Sequence, residues 1–280
     1  TTSVDCDRSS GSAANSVRPT RNQIIFWDNF QVEVHSGRIQ KVQAKLTGVF
    51  ISDLHLFSQR SIGQAYWNQN KELVSAAKVV VLGGDSFDIR WSQLGSLDAT
   101  IRAANEWVET AIALNPTANW VYLLGNHDCH PRITTMLESL AARHGNFAWS
   151  STVWRIGGSV FLHGDVLDGE RHIGGLHAYR KAFHEDRQKG RIENLLYSAV
   201  IQTRLHDLIP RLRHTQKKTC QRLIHYLERQ GEGFLDNIDS IYFGHTHVPM
   251  YDFQYDRFHF YNAGSGIRHL KLIPATFEVR

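Results

Sequence analysis

The sequence predicts an α/β fold, and three features of its 280 residues support this class. Short apolar runs rich in β-branched and aromatic residues recur along the chain, as strands buried on both faces require. Stretches of helical character over 62–77 and 96–114 separate the first three runs, which is the alternation of a β-α-β layout. Each run also ends in polar residues of the same few types, so the predicted strands share one polar edge.

Five apolar runs have this ending, and each is followed directly by Gly, Asp or His. They cover residues 48–52, 79–82, 120–124, 160–162 and 240–243. In open α/β sheets, ligands bind in the crevice beyond the carboxyl ends of the strands. We therefore expect the polar residues behind the five runs to converge on one site.

The composition is that of an ordinary globular chain. Hydrophobic residues make up 42% of it and aromatic residues 11%, which excludes general disorder. No apolar run approaches the roughly 18 residues needed to cross a bilayer. The three cysteines, Cys6, Cys129 and Cys220, are too dispersed for a disulfide framework and fit a reducing compartment. We expect a cytoplasmic protein without a transmembrane segment, with peripheral contact to a membrane as an open option.

The chain divides into three predicted parts. Residues 1–20 are polar and predict a flexible N-terminal arm. Residues 21–167 and 236–280 form the predicted α/β core, and 168–235 form a helical insertion, or cap. The segment 171–230 holds 13 Lys and Arg against 5 Asp and Glu. This basic charge suggests an anionic partner at the cap, although a solvated helical face explains it equally well.

The residues behind the strands offer the ligands of two adjacent metal ions. Asp53 and His55 are two apart, so at an extended strand end their side chains share one face. Asp85 can bridge two ions because it has two oxygens. One predicted metal site uses Asp53, His55, Asp85 and His247. The other uses Asp85, Asn126, His163 and His245.

Two ions so placed would perform phosphoryl chemistry. Ions about 3.5–4 Å apart bind a phosphoryl group and deprotonate a water that attacks it in line. Nitrogen and oxygen ligation without thiolate favours Mn, Fe, Zn or Co, and we expect two divalent ions with Mn first among these. The predicted substrate is an anionic phosphorylated compound.

Further residues around these ligands have predicted roles. His127 is the predicted general acid for the leaving oxygen, oriented by Asp53 or Asp128, and Asp85 is counted with it as catalytic. Asp128 and Asp165 are expected to accept hydrogen bonds from metal-binding imidazoles. Four arginines near the motifs or in the cap are candidate phosphate contacts: Arg90, Arg171, Arg180 and Arg187.

A single Asp or His after a strand is more often a turn residue or a helix cap, but five such loops together are poorly explained in that way. The set resembles the motifs of the calcineurin-like metallophosphoesterase superfamily, in order, over about residues 48–250. The motifs are Asp53-Leu54-His55, Gly84-Asp85-Ser86-Phe87-Asp88, Gly125-Asn126-His127-Asp128, His163-Gly164-Asp165 and Gly244-His245-Thr246-His247. The resemblance implies a four-layer αββα sandwich of two mixed sheets flanked by helices, and the metal ligands given above.

Within that superfamily, the chain looks most like the UDP-2,3-diacylglucosamine pyrophosphatases. The similarity lies in the motifs around Asp53 and His247 and in the long basic insertion after Asp165. It implies a lipid-linked nucleotide as substrate, bound at a membrane surface.

Other functions stay open at this point. His127 stands where those lipid enzymes often have Arg, and it fits a small-molecule or cyclic-nucleotide phosphodiesterase equally well. A non-catalytic metal-binding scaffold is an alternative from another class, but all seven ligand positions are retained. We do not expect nucleic acid as a partner, because no aromatic residues interleave with the basic ones. The sequence does not indicate an oligomeric state.

Overall fold

The computed structural model describes residues 46–184, 189–190, 192–193 and 213–279. Two five-stranded mixed sheets form its centre, with helices outside them. The predicted arm over 1–20, the candidate Arg187 and the middle of the predicted cap, including 194–212, lie outside the described residues. Within the described part, the predicted sandwich of two mixed sheets flanked by helices is confirmed.

Sheet I has the strand order β10-β1-β2-β3-β4. Strands β1 to β4 are parallel, and β10 pairs with β1 in the antiparallel sense. The bounds are β1 Leu46–Ile51, β2 Val79–Leu82, β3 Asn119–Leu123, β4 Phe147–Ser150 and β10 Ala275–Val279. The first three are predicted strands, so their carboxyl ends lie together as expected.

Sheet II has the order β5-β6-β7-β9-β8. Strands β6, β7 and β9 are parallel, while β5 and β8 are antiparallel edge strands. The bounds are β5 Val153–Ile156, β6 Ser159–Leu162, β7 Ser240–Phe243, β8 Met250–Tyr255 and β9 Phe258–Asn262. The remaining two predicted strands, β6 and β7, are central neighbours here.

An aromatic layer joins the two sheets. Phe50 of sheet I lies with its ring centroid 5.9 Å from those of Phe161 and Tyr242 of sheet II. The ring centroid of Phe277, on β10, lies 4.7 Å from that of Phe161. Each fully buried aromatic side chain contributes roughly 1.5–3 kcal/mol of hydrophobic free energy. This layer holds the strand ends of the two sheets at a fixed distance from one another.

Four helices cover the outer face of sheet I: α1 Gly63–Gln69, α2 Lys71–Ala76, α3 Leu97–Leu114 and α4 Pro131–Arg143. The helical stretch predicted over 62–77 is divided at Asn70, whose side chain donates to the Tyr66 carbonyl oxygen at 2.8 Å. Helix α3 begins where predicted, because the Ser96 hydroxyl accepts from the Ala99 amide at 3.1 Å and caps its first turn.

Three described helices follow β6: α5 Val166–Gly169, α6 Gly175–Lys181 and α7 Gln216–Glu228. Helix α7 lies inside the span predicted as a cap, but its buried face packs against sheet II. Cys220, Leu223 and Leu227 share one core cluster with Phe243 and Phe260. The C-terminal part of the 168–235 segment therefore belongs to the outer helical layer, because its apolar stripe covers sheet II. The predicted boundaries of the rest stay a prediction.

Among the described residues, no helix combines the length and apolar composition that crossing a bilayer requires.

Candidate metal centre

All seven predicted metal ligands lie just beyond the strands that the sequence predicts. Asp53 and His55 follow β1, Asp85 follows β2 and Asn126 follows β3 on sheet I. His163 follows β6, and His245 and His247 follow β7, on sheet II. Because the aromatic layer joins the two sheets, the two sets of strand ends meet over one polar edge.

Five of these residues adopt a backbone conformation that side chains rarely favour. Their φ angles are 54° for Asp53, 48° for His55, 51° for Asp85, 64° for His245 and 57° for His247. A left-handed non-glycine residue costs roughly 1–2 kcal/mol. Such strain persists where the surroundings impose it, and it is concentrated at functional sites. Asp53 and His55 therefore converge through left-handed turns, and the extended strand end assumed from their spacing is wrong.

The first ligand group consists of Asp53, His55 and His247, whose donor atoms all lie within 4.8 Å of one another. His247 Nε2 is 3.2 Å from Asp53 Oδ1 and 3.2 Å from His55 Nε2. Two imidazole nitrogens and a carboxylate oxygen that face each other so closely form a donor set for one divalent cation. Asp53 and His55 are fully buried.

The second ligand group consists of Asp85, His163 and His245, again within 4.8 Å. His163 Nε2 lies 3.3 Å from Asp85 Oδ2 and 3.3 Å from Asn126 Oδ1. The other ring nitrogen of His163 lies 3.0 Å from the carbonyl oxygen of Gly83. A backbone acceptor at Nδ1 fixes the tautomer that leaves Nε2 free for a cation.

Asp85 joins the two groups through a single oxygen. Its Oδ2 atom is 3.9 Å from His55 Nε2 and 3.3 Å from His163 Nε2. Its Oδ1 atom accepts a hydrogen bond of 2.8 Å from the His127 backbone amide. Oδ2 therefore faces both groups while Oδ1 is bound by the loop after β3, and the bridging of two ions by Asp85 stays a prediction. The donor set as a whole fits two adjacent divalent ions.

The charges of these groups are strongly coupled. Burial acts to raise the pKa of Asp85, but the imidazoles of His163 and His127 hold it well below its usual range. Burial would lower the pKa of His163, yet the Asp85 carboxylate raises it to about 10. Burial lowers the pKa of His55 to about 4, so this ring is neutral. The positive charge of His163 thus compensates the negative charge of Asp85, and a bound cation would take over that role.

His127 lies beside the ligand groups, with its Nδ1 atom 2.9 Å from Asp88 Oδ1. The other oxygen of Asp88 accepts from Arg60 Nη2 at 2.7 Å, and Asp88 is fully buried. Burial acts to lower the pKa of His127, but Asp88 and Asp85 outweigh it and raise that pKa. The expected partners Asp53 and Asp128 do not hold this ring. Asp88 does so.

Asp128 and Asp165 were predicted to accept hydrogen bonds from the imidazoles of the ligand groups, but their partners in the structure are different. Asp128 accepts from the backbone amides of Ser86 and Gly125 and from the Tyr122 hydroxyl, at 2.6–2.8 Å. It fastens the loop after β2 to the loop after β3. Asp165 instead pairs with Arg180, whose Nε lies 2.6 Å from Oδ2.

The four candidate phosphate arginines have different positions. Arg180 is buried and also donates to the carbonyl oxygens of Leu124 and Ser151, so it anchors α6 and does not face a substrate. Arg171 is exposed near the start of the predicted cap. Arg90 is partly buried, and its carbonyl oxygen accepts from the Lys189 amide at 2.9 Å.

Helix α6 and the turn after it place two aromatic side chains against the site. The Phe183 ring lies 5.4 Å from the ring of His127. The Tyr179 ring lies 6.5 Å from that of His245 and 5.3 Å from that of Phe183. Neither residue was predicted from the sequence, because the apolar stripe of a helix does not reveal which surface it faces.

Comparison with known families agrees with this geometry. The model of the calcineurin-like phosphoesterase family matches residues 49–249, which include all seven ligand candidates. The chain belongs to this family. No curated protein sequence matches it. Calcineurin-like phosphoesterases are metal-dependent hydrolases of phosphoesters and typically bind two divalent metals. The predicted superfamily and enzyme class are therefore confirmed, and the Asp and His groups could hold the metals.

Proposed function

We propose that this phosphoesterase hydrolyses a phosphodiester whose leaving group is an alcohol. The observation that carries the proposal is the hydrogen bond of 2.9 Å between His127 Nδ1 and Asp88 Oδ1. The Asp88 carboxylate raises the pKa of this imidazole and so favours its protonated form beside the two ligand groups, where a leaving oxygen would need a proton.

The proposed ligands are those predicted from the sequence. Asp53, His55 and His247 would hold one metal with Asp85, and the other would be held by Asp85, Asn126, His163 and His245. Two divalent ions there would supply the positive charge that binds a phosphoryl group and acidifies a water. We propose Mn²⁺, because imidazole, amide and carboxylate donors without thiolate suit it.

The leaving group decides between two substrate classes. A pyrophosphate releases a phosphate monoester, whose second pKa is about 6, so it departs unaided at neutral pH. An alkoxide must be protonated as it leaves, and general acid catalysis then contributes roughly 10²–10⁴ in rate. A buried Asp88 that raises the pKa of His127 is useful only for the second class. His127 Nε2 would donate the proton, since Nδ1 is held by Asp88.

A second candidate is the hydrolysis of a lipid-linked nucleotide pyrophosphate such as UDP-2,3-diacylglucosamine. It is favoured by the arginines beside the site. Burial lowers the pKa of Arg222, the positive charges of Arg171 and Arg213 add to this effect, and the Asp168 carboxylate opposes it. These three arginines form the basic group of the second candidate. Such a group would attract a second phosphate of the substrate. Cytoplasmic location and peripheral membrane contact belong to this second candidate.

The test compares three substrates on the wild type and on His127→Ala, each with and without Mn²⁺. Bis-(p-nitrophenyl) phosphate, an alkyl phosphodiester and UDP-2,3-diacylglucosamine would be the substrates. The proposal expects Mn²⁺-dependent diester hydrolysis, and His127→Ala should lose roughly 10²–10⁴ in kcat on the alkyl diester. The same variant should lose far less of its kcat on bis-(p-nitrophenyl) phosphate, because p-nitrophenolate is a good leaving group that needs no proton.

Asp85→Asn is the control that should lose all activities together. Turnover of the lipid nucleotide alone, with no effect of His127→Ala, would overturn the first candidate in favour of the second. Metal binding without turnover of any substrate would favour the non-catalytic scaffold.

A further inference from the structure

Asp168 is a charged residue beside the ligand groups that the proposed function does not use. It lies on α5, and its Oδ2 atom is 3.1 Å from Nε2 of His245. Each of the two side chains is only 10% exposed. We infer that Asp168 is a positioning residue: it holds the His245 imidazole through Nε2 and directs Nδ1 to the metal. This inference rests on the ligation proposed above for His245.

The chemistry of the imidazole requires such a partner. A neutral ring has one N–H donor and one nitrogen with a free lone pair, and only the latter binds a metal. A carboxylate at Nε2 keeps the proton there, so the lone pair is on Nδ1. Metal-binding histidines commonly have such an acceptor, and it also raises the basicity of the ligand. His163 has the backbone oxygen of Gly83 in this role, at 3.0 Å.

Helix α5 fixes the position of Asp168. Its neighbours Val166 and Leu167 are buried in the core cluster on sheet II, so α5 has little freedom. Its backbone amide donates to the Asp165 carbonyl oxygen at 3.1 Å. The Nη2 atom of Arg213 lies 2.8 Å from Asp168 Oδ1. The carboxylate therefore faces the guanidinium with Oδ1 and His245 with Oδ2.

The other surroundings of His245 orient it less directly. Its backbone amide lies 3.1 Å from both carboxylate oxygens of Asp53. Its ring is flanked by those of His163 at 5.3 Å, His214 at 6.3 Å and Tyr179 at 6.5 Å. Rings at such angles restrict the position of the imidazole without selecting its tautomer. Asp168 supplies the acceptor that does so.

Asp168 could instead act only as an anchor for Arg213, and the two roles predict different results. If Asp168 positions His245, replacing Arg213 leaves the contact with His245 in place. If Asp168 only anchors Arg213, then Arg213→Ala should have the same effect as Asp168→Ala. Asp168→Asn distinguishes charge from hydrogen bonding, because the amide oxygen still accepts from Nε2 while the charge is lost.

The experiment is calorimetric titration of the metal-stripped full chain with Mn²⁺, without substrate. Asp168→Ala should weaken one of the two Mn²⁺ sites by roughly 10–100-fold, and Asp168→Asn by less. Arg213→Ala should leave both affinities unchanged. Asp252→Asn is the matched control, since Asp252 contacts the Nδ1 atom of His259 at 2.7 Å and both side chains are exposed. Thermal melting would check that each variant is folded.

Two outcomes would overturn the inference. One is that folded Asp168→Ala binds Mn²⁺ at both sites with the affinities of the wild type. The other is that Arg213→Ala loses as much Mn²⁺ affinity as Asp168→Ala does. Wild-type protein that binds no Mn²⁺ would overturn the proposed metal centre itself, and with it the role of Asp168. Substrate turnover plays no part in the measurement, so a wrong substrate assignment does not affect it.

Discussion

His127 and Asp88 form a buried pair, with Nδ1 of the ring 2.9 Å from Oδ1 of the carboxylate. The second oxygen of Asp88 is held by Arg60, so the carboxylate cannot turn away. Arg60 also holds the pKa of Asp88 well below its usual range, against the effect of burial. The pair therefore keeps a negative charge next to an imidazole at neutral pH and stabilises the protonated ring.

Asp88→Asn should shift the alkaline limb of the kcat profile to lower pH. Burial alone lowers the pKa of His127, and the Asp88 charge is the largest contribution that raises it. Without that charge the ring loses its proton at lower pH, so a step that needs the proton fails earlier as pH rises. The measurement is kcat against pH on an alkyl diester, with metal content determined on the same samples.

The control for this experiment is Asp98→Asn, which changes an exposed carboxylate that pairs with Arg132. Its profile should match that of the wild type. An unshifted alkaline limb in Asp88→Asn, with both metals retained, would exclude His127 as the group responsible for it.

Asp85→Asn should weaken both metal sites, whereas Asp53→Asn should weaken one. The reason is that Asp85 Oδ2 faces both ligand groups, while Asp53 lies in the first alone. Elemental analysis after dialysis against low Mn²⁺ would measure this as ions per chain. Retention of two ions by Asp85→Asn would contradict the bridging role.

Metal binding should release the excess proton of His163 near neutral pH, because an imidazole must be neutral to bind a metal. In the metal-free protein Asp85 raises the pKa of His163 to about 10, although burial acts to lower it. This ring is therefore positively charged at pH 7, with a proton on each nitrogen. His55, with a pKa of about 4, is already neutral there and releases none. The affinity for Mn²⁺ should therefore fall as the pH falls.

Calorimetry in two buffers with different ionisation enthalpies measures the released protons directly. His163→Ala is a suitable control, because it should remove the release along with the second site. Equal heats in the two buffers for the wild type would show that His163 is neutral before the metal binds.

The placement of the ligand candidates at one edge was predictable because it depends on local sequence and strand order. Each follows an apolar run, and parallel strands bring their carboxyl ends to one edge. The role of Asp88 was less accessible, since its contact with His127 depends on how the loops after β2 and β3 cross. The left-handed φ angles of Asp53 and His55 are equally invisible in the spacing, because tertiary contacts impose them.

The outer layer shows a different limit. The apolar stripe of α7 predicts a helix, but it does not indicate whether the stripe covers the site or the sheet. Leu223 and Leu227 pack on sheet II, so this helix is part of the body. Arg180 was a candidate phosphate contact because of its position in the chain, yet its partner Asp165 is fifteen residues away. Charge counts along a segment cannot distinguish a buried ion pair from a free cation.

Arg180→Ala should destabilise the fold by roughly 3–5 kcal/mol, because it leaves the buried Asp165 carboxylate without a partner. Burial acts to raise the pKa of Asp165, but Arg180 outweighs it and lowers that pKa. The stabilising contribution is therefore complete above the pKa of an unfolded Asp and is lost as pH falls through the lower folded value. Urea denaturation of wild type and variant at pH 7 and in acid would measure it.

Arg132→Ala is the matched control, since Arg132 pairs with Asp98 at 2.5 Å but both side chains are exposed. Exposed pairs contribute at most about 1 kcal/mol, so this variant should unfold almost as the wild type does. The difference in free energy of unfolding between Arg180→Ala and the wild type should become smaller in acid, where Asp165 becomes protonated. A gap that stays constant with pH would mean that Arg180 acts through its bonds to Leu124 and Ser151 alone.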